Sequence, residues 1–319
     1  MRLMISGFLA LLVAGIIPTF GDDPRPMNKP GESIVVRGEK IPIGTPVLLW
    51  TDPGGHNAYV RQAPPASEKK ASSPGFGRRR QGLSEAQLAE IERTGWTRPL
   101  LEQAVDQFVI HYDVCGTSRK CFEVLQERNL SVHFLLDVDG TIYQTLDLQE
   151  AAYHATKANG RSIGIEIANM GAYPTRDLPQ SPLPRWYGPG ADGRTEIRLP
   201  DPALVPTRTP GAEPLHPSRD QPVVGVVQGR ELTMYDLTPQ QYDALGKLTQ
   251  ALCGTFPKIR RDLPRDEQGR VVNHKLDDEV YQRYQGILGH YHVQLNKTDP
   301  GPAFQWDRIL GPVPPATHP

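Results

Sequence analysis

"SIGIEIAN", residues 162–169, decides the fold. Ile163, Ile165 and Ile167 alternate with Gly164, Glu166 and Ala168, the period-two pattern of a strand with one apolar face. In such a strand Glu166 points away from the isoleucine layer, and a carboxylate buried there is costly unless something cationic stands near it. Outward from this stretch, "FVIHYDV" (108–114) is a second apolar strand ending in polar groups. "VHFLLDVDGTIYQTL" (132–146) is a hairpin turning at Asp139-Gly140. "DVDG" resembles the start of a calcium loop, but Ile142 stands where that loop needs glycine.

Helical patterns alternate with these strands. "LSEAQLAEIERTG" (83–95) opens with a capping box, Ser84 and Gln87, and closes at Gly95; a second helix is expected from Pro99 to Gln107. "LTPQQYDALGKLTQALCGTF" (237–256) has Thr238 as N-cap, Pro239 in the first turn and Gln241 completing the box, with Tyr242, Leu245, Leu248 and Leu252 on one face. Irregular alternation of this kind predicts an α/β fold with a mixed central β-sheet flanked by helices.

The expected organisation is a signal peptide (1–22), a small β element (23–62), a linker (63–80), a domain over 81–312 and a tail (313–319). Arg2, the apolar stretch Leu3 to Phe20 and the polar "GDDPRP" form a secretory pattern, which implies the periplasm or the extracellular space; an uncleaved N-terminal membrane anchor is the alternative. "ESIVVRGEKIPIGTPVLLWTD" (32–52) reads as two strands joined by a turn, and "APPASEKKASSPGFGRRR" (63–80) has almost nothing to bury. From 171 to 235 Pro and Gly are dense, which predicts a long insertion with little regular structure. The 35 basic and 36 acidic residues leave a formal charge of -1, which excludes an electrostatic nucleic-acid binder. Export permits disulfides, and three cysteines, Cys115, Cys121 and Cys253, allow one pair and one leftover.

His111 stands where an apolar strand meets a polar loop, the usual location of active groups in α/β proteins. His290 and Asp299 flank a short loop much later in the chain. Two imidazoles and one carboxylate leave the fourth position of a zinc ion open, as in catalytic rather than structural sites.

"FVIHY", "VHFLLDVDGTIYQ", "AAYHA", "RSIGIEIAN" and "GHYHVQLNKTDPGPAFQWDRIL", in this order, resemble the zinc-dependent N-acetylmuramoyl-L-alanine amidases of the superfamily that includes the peptidoglycan recognition proteins. The resemblance covers roughly 105 to 170 and 236 to 311. It implies zinc bound by His111, His290 and Asp299, a catalytic pair of Glu166 and Lys297, and substrate contacts from His154 and Asn169. Many relatives have one more residue between the second histidine and the aspartate, so His292 competes with His290, which follows Gly289 as in the family. Some relatives carry tyrosine where this chain has Val132. The recognition-protein branch also implies a Cys115–Cys121 disulfide. The implied activity is hydrolysis of the amide between N-acetylmuramic acid and L-alanine by a monomer whose partner is peptidoglycan, with no stable membrane association after signal cleavage. The rivals are a non-catalytic peptidoglycan-binding module and a zinc hydrolase of another amide.

Overall fold

The computed structural model describes residues 31–60, 75–77, 80–199 and 214–311. The expected signal peptide, most of the linker and the tail lie outside the described residues. Among the described residues no helix is long and apolar enough to cross a membrane.

Seven strands form the central sheet, in the spatial order Gly31–Val36, Glu39–Leu49, Ile142–Gln144, Phe134–Leu136, Ser162–Ile167, Gln107–Tyr112, Gly286–Gly289. The last four run parallel to one another, and the two hairpins supply the antiparallel pairs, so the sheet is mixed. The "ESIVV…LLW" hairpin is not a separate element. Val47 to Leu49 pair with Ile142 to Gln144 and make it the edge of the main sheet.

Strand alternation sorts the two faces. Phe108, Ile110, Phe134, Leu136, Ile163, Ile165 and Ile167 point one way into the main core, against Tyr242, Leu245, Leu248 and Leu252 of the helix Pro239–Thr255. That helix carries both predicted cap bonds between Thr238 and Gln241. The helix Glu85–Thr94 likewise has its Ser84–Gln87 box. The next helix, Arg98–Ala104, stops short of Gln107, which begins the His111 strand.

The opposite face is thinner. The helix Ser118–Glu127, unmarked in the sequence reading, lays Cys121, Phe122 and Leu125 against Leu135 and Tyr143. Beside it Gly164 leaves the sheet open to a close approach: a Cβ there would lie 2.5 Å from the His154 ring.

Two further expectations need correction. The insertion 171–235 is not irregular; its described part contains the hairpins Tyr187–Pro189/Thr195–Ile197 and Val223–Val227/Arg230–Met234, the second pairing also with Tyr173–Pro174. Also, the end of the expected linker belongs to the domain. Phe76–Gly77 pairs with Ala151–Ala152, and Arg80 is buried. The Arg80 guanidinium donates to the carbonyls of Leu148, Gln149, Glu150 and Ser162. Burial lowers its pKa to about 9, with Glu150 and Asp147 opposing that shift.

Because leaving one buried acceptor without a donor costs about 1–3 kcal/mol, Arg80→Ala is expected to destabilise the chain by about 3 kcal/mol or more. Urea unfolding measures this. A change within ~0.5 kcal/mol, the scale of a surface substitution, would return Arg80 to the linker.

Candidate metal centre and active site

The central pairing builds the site. His111 is the register partner of Glu166, so both side chains leave the same face near the carboxyl ends of parallel strands, where α/β sheets hold ligands. The neighbouring strand Gly286–Gly289 delivers His290 immediately after its last residue. The chain then loops back so that Asp299 closes the group. His111 Nδ1 lies 2.8 Å from His290 Nδ1, and each is 2.9 Å from Asp299 Oδ2. All three residues are buried.

Hydrogen bonding selects the tautomer of each imidazole in its neutral form. Ser162 Oγ is 2.8 Å from the Ala158 carbonyl, an obligate acceptor, so the hydroxyl proton goes there. The same oxygen must then accept from His154 Nε2, 3.1 Å away. This leaves His154 Nδ1 as an acceptor for His111 Nε2–H at 2.9 Å. His111 Nδ1 therefore carries a lone pair. His290 reaches the same state more directly, since its Nε2–H donates to Gln294 Oε1 at 2.6 Å.

Electrostatics agree with this assignment. Burial and the adjacent His290 pull His111 down to about 4, so it is neutral at pH 7. Burial by itself would raise the Asp299 pKa, but His290 and His111 outweigh it and hold the carboxyl well below the usual range. Three buried donor atoms thus converge, Nδ1 of His111, Nδ1 of His290 and Oδ2 of Asp299. That arrangement fits a cation, and two neutral imidazoles with one carboxylate suit a divalent metal with an open position.

His292 is turned elsewhere. Its Nδ1 accepts from Gly289 N at 2.9 Å and its Nε2 donates to Val272 O at 2.6 Å, so neither nitrogen is free. Glu166 faces the donor cluster, with Oε1 4.0 Å from His111 Nδ1 and Oε2 buried without a hydrogen-bond partner. Burial, then Asp299 and Asp113, raise its pKa well above the ordinary carboxylate value, while Lys297 opposes them. Lys297 is half-buried on the loop that precedes Asp299. The adjoining Thr298 and Tyr112 hydroxyls are 2.6 Å apart.

The two residues expected to touch substrate both make bonds within the protein. Both His154 nitrogens are engaged within the protein, so it can offer a substrate only a carbon edge; it positions His111. Asn169 is buried, donating to Tyr235 O and accepting from Gly171 N. Cys115 and Cys121 are free thiols, so the implied bridge is not formed in this structure; their sulfurs and an Asp113 oxygen lie within 4.8 Å of one another. Cys253 is also free, packed against the main core. Val132 is buried. Sequence reasoning missed Ser162 and Gln294. The spacing of Gln294, four residues after His290 at the end of a short helix, was the available signal.

A family model described as N-acetylmuramoyl-L-alanine amidase matches residues 101–302, which include all three converging donors, Glu166 and Lys297. The chain belongs to this family, the type 2 amidases. Its mixed sheet with flanking helices is the fold that the sequence resemblance implied. Among solved structures, a selenomethionine derivative of AmpD is 17% identical, over 76% of this chain and 93% of that one, with a TM-score of 0.33. AmiD from E. coli, in complex with anhydro-N-acetylmuramic acid-L-Ala-D-gamma-Glu-L-Lys, is 17% identical over 68% of this chain and 58% of that one, at 0.36. The Drosophila peptidoglycan recognition protein SA is 15% identical over 59% and 86%, at 0.25. No curated protein matches the chain.

If Ser162 and His154 set the His111 tautomer, Ser162→Ala and His154→Phe should each weaken zinc binding by about 10- to 100-fold, the usual cost of losing a group that orients a ligand. Competition with a chromogenic chelator reads this. His290→Ala should lose the ion and His292→Ala should keep it; the opposite pattern would exchange their roles.

Proposed function

We propose that this chain hydrolyses the amide between N-acetylmuramic acid and L-alanine in peptidoglycan, using zinc held by His111, His290 and Asp299. The observation that carries the proposal is the placement of an unpartnered carboxylate oxygen, Glu166 Oε2, beside three converging donors. Family membership supplies the substrate class. Zinc bound there would acidify a water to a pKa of ~7 and polarise a carbonyl.

The chain's own groups do the rest. Glu166 takes the proton of the attacking water and delivers it to the leaving amine, a dual role suited to a carboxyl held above its ordinary pKa. The Lys297 ammonium stabilises the charge that develops on the carbonyl oxygen. His154, Ser162 and Gln294 keep both imidazoles in the tautomer that leaves Nδ1 unprotonated. We further propose export to the periplasm or the extracellular space, supported by the apolar stretch Leu3 to Phe20.

Glu166→Gln should retain zinc and sacculus binding while amide cleavage falls by ~100-fold or more. Lys297→Met should lower turnover by ~100- to 1000-fold, the scale of one lost oxyanion donor. The released termini are identified by mass spectrometry, with zinc content measured on the same preparations. Near wild-type cleavage by Glu166→Gln would remove Glu166 from the mechanism. A wild type that binds sacculi but never cleaves them would be a binding module.

A further inference from the structure

The insertion 171–235 contains the hairpin Val223–Val227/Arg230–Met234, whose turn residues Gln228 and Gly229 both have positive φ, 54° and 69°. Two successive residues of this kind are what a tight hairpin turn demands, and they leave the Gln228 side chain at the tip. That tip meets the loop carrying His290, Lys297 and Asp299. Gln228 Nε2 donates toward the carbonyls of Tyr291 at 2.9 Å, Gln294 at 3.0 Å and Lys297 at 3.3 Å. Its Oε1 accepts from Lys275 N at 3.1 Å, and its backbone N donates to Asn273 O at 2.9 Å.

The contact has an apolar base as well as a polar tip. Val227 and Leu232 of the hairpin pack with Tyr291, joined by Ala172 and Trp306. Gly225 sits so close to the loop that a Cβ there would lie 2.8 Å from Pro302 Cβ. Leu295 and Asn296 of the loop are exposed, and its other ties include Tyr291 N to Asp299 O at 3.1 Å, Lys297 N to Gln294 O at 3.3 Å and the Thr298–Tyr112 hydroxyl pair. Carbonyls at the end of a short helix lack partners within the helix, and Gln228 supplies them from outside.

We infer that this hairpin is a strut for the loop bearing Lys297, and that Gln228 is a positioning residue acting through the Lys297 and Gln294 backbone. Gln294 is also the side chain that orients His290, so one amide braces both the cation and a metal donor. The inference rests on the proposed amide hydrolysis only for its kinetic readout. A misplacement of about 1 Å at a catalytic group costs on the order of 100-fold, so a strut lost at this distance should be visible in turnover.

Gln228→Asn in the zinc-loaded full chain is the test. Asparagine tolerates the positive φ of the turn but is one methylene too short to reach the three carbonyls. Expected are an unchanged melting temperature, one zinc per chain, faster hydrogen exchange confined to the 291–299 amides and that of Lys275, and kcat lower by about 10- to 100-fold at unchanged KM. Combined with Lys297→Met it should add less than its single-variant loss, because part of its effect passes through the same placed ammonium and only the part through Gln294 and His290 remains. Wild-type exchange in 291–299, or fully additive kinetic losses, would overturn the inference. So would a falling melting temperature with faster exchange across the whole sheet, which would make Gln228 a general support of the fold. Were the wild type inactive on peptidoglycan, the proposed function would fail, while the exchange readout would still judge the strut.

Discussion

The parallel pairing of Gln107–Tyr112 with Ser162–Ile167 is the constraint on which the rest of the molecule depends. On one face it buries a layer of Phe and Ile under a long helix, and on the other it aligns His111 with Glu166. A one-residue slip of the Ser162–Ile167 strand would send Glu166 into the apolar core and turn its isoleucines toward the cleft, leaving His111 without its partner. The hydrophobic layer therefore does more than stabilise the sheet. It fixes which side the chemistry is on, and the Gly286–Gly289 strand then needs only to add one more parallel pairing to bring His290 alongside.

Features written in local periodicity were legible in the sequence. The strand alternation around Ile163 to Ile167 and the two capping boxes correspond to observed elements with their bonds in place. His111, His290 and Asp299 meet although they are separated by as many as 188 positions, because strand ends and a polar loop are where such residues can meet. What was not legible is non-local. The pairing of Val47 with Ile142 joins the first hairpin to the sheet, yet neither strand's composition distinguishes an edge from an isolated ribbon. Arg80 looked like part of a charged run because its four carbonyl partners lie 68 to 82 residues away.

His154 illustrates a different limit. Its motif matched the family, and the residue does serve the site, but through the back of His111 rather than toward a substrate. Only the partners of both ring nitrogens reveal that direction, and Gly164 reveals the space that permits it. Asn169 meets the same limit, since a buried amide that closes a turn and an amide that binds ligand have the same sequence signature.

The protons connect these observations. Ser162 gives its hydrogen to a backbone carbonyl, which determines the proton on His154, which determines the one on His111. Gln294 does the equivalent for His290, and its own backbone carbonyl receives Gln228 from the insertion. Each step satisfies a polar group that would otherwise be costly to bury, so the fold's ordinary need for hydrogen-bond partners drives the chain of assignments. The three donors at its end, with Glu166 Oε2 beside them, are where partners within the protein run out. Asp113 Oδ2 and the Ser118, Thr141 and Thr249 hydroxyls also lack partners, but lone pairs on two imidazoles and a carboxylate that face one another are completed by a positive charge.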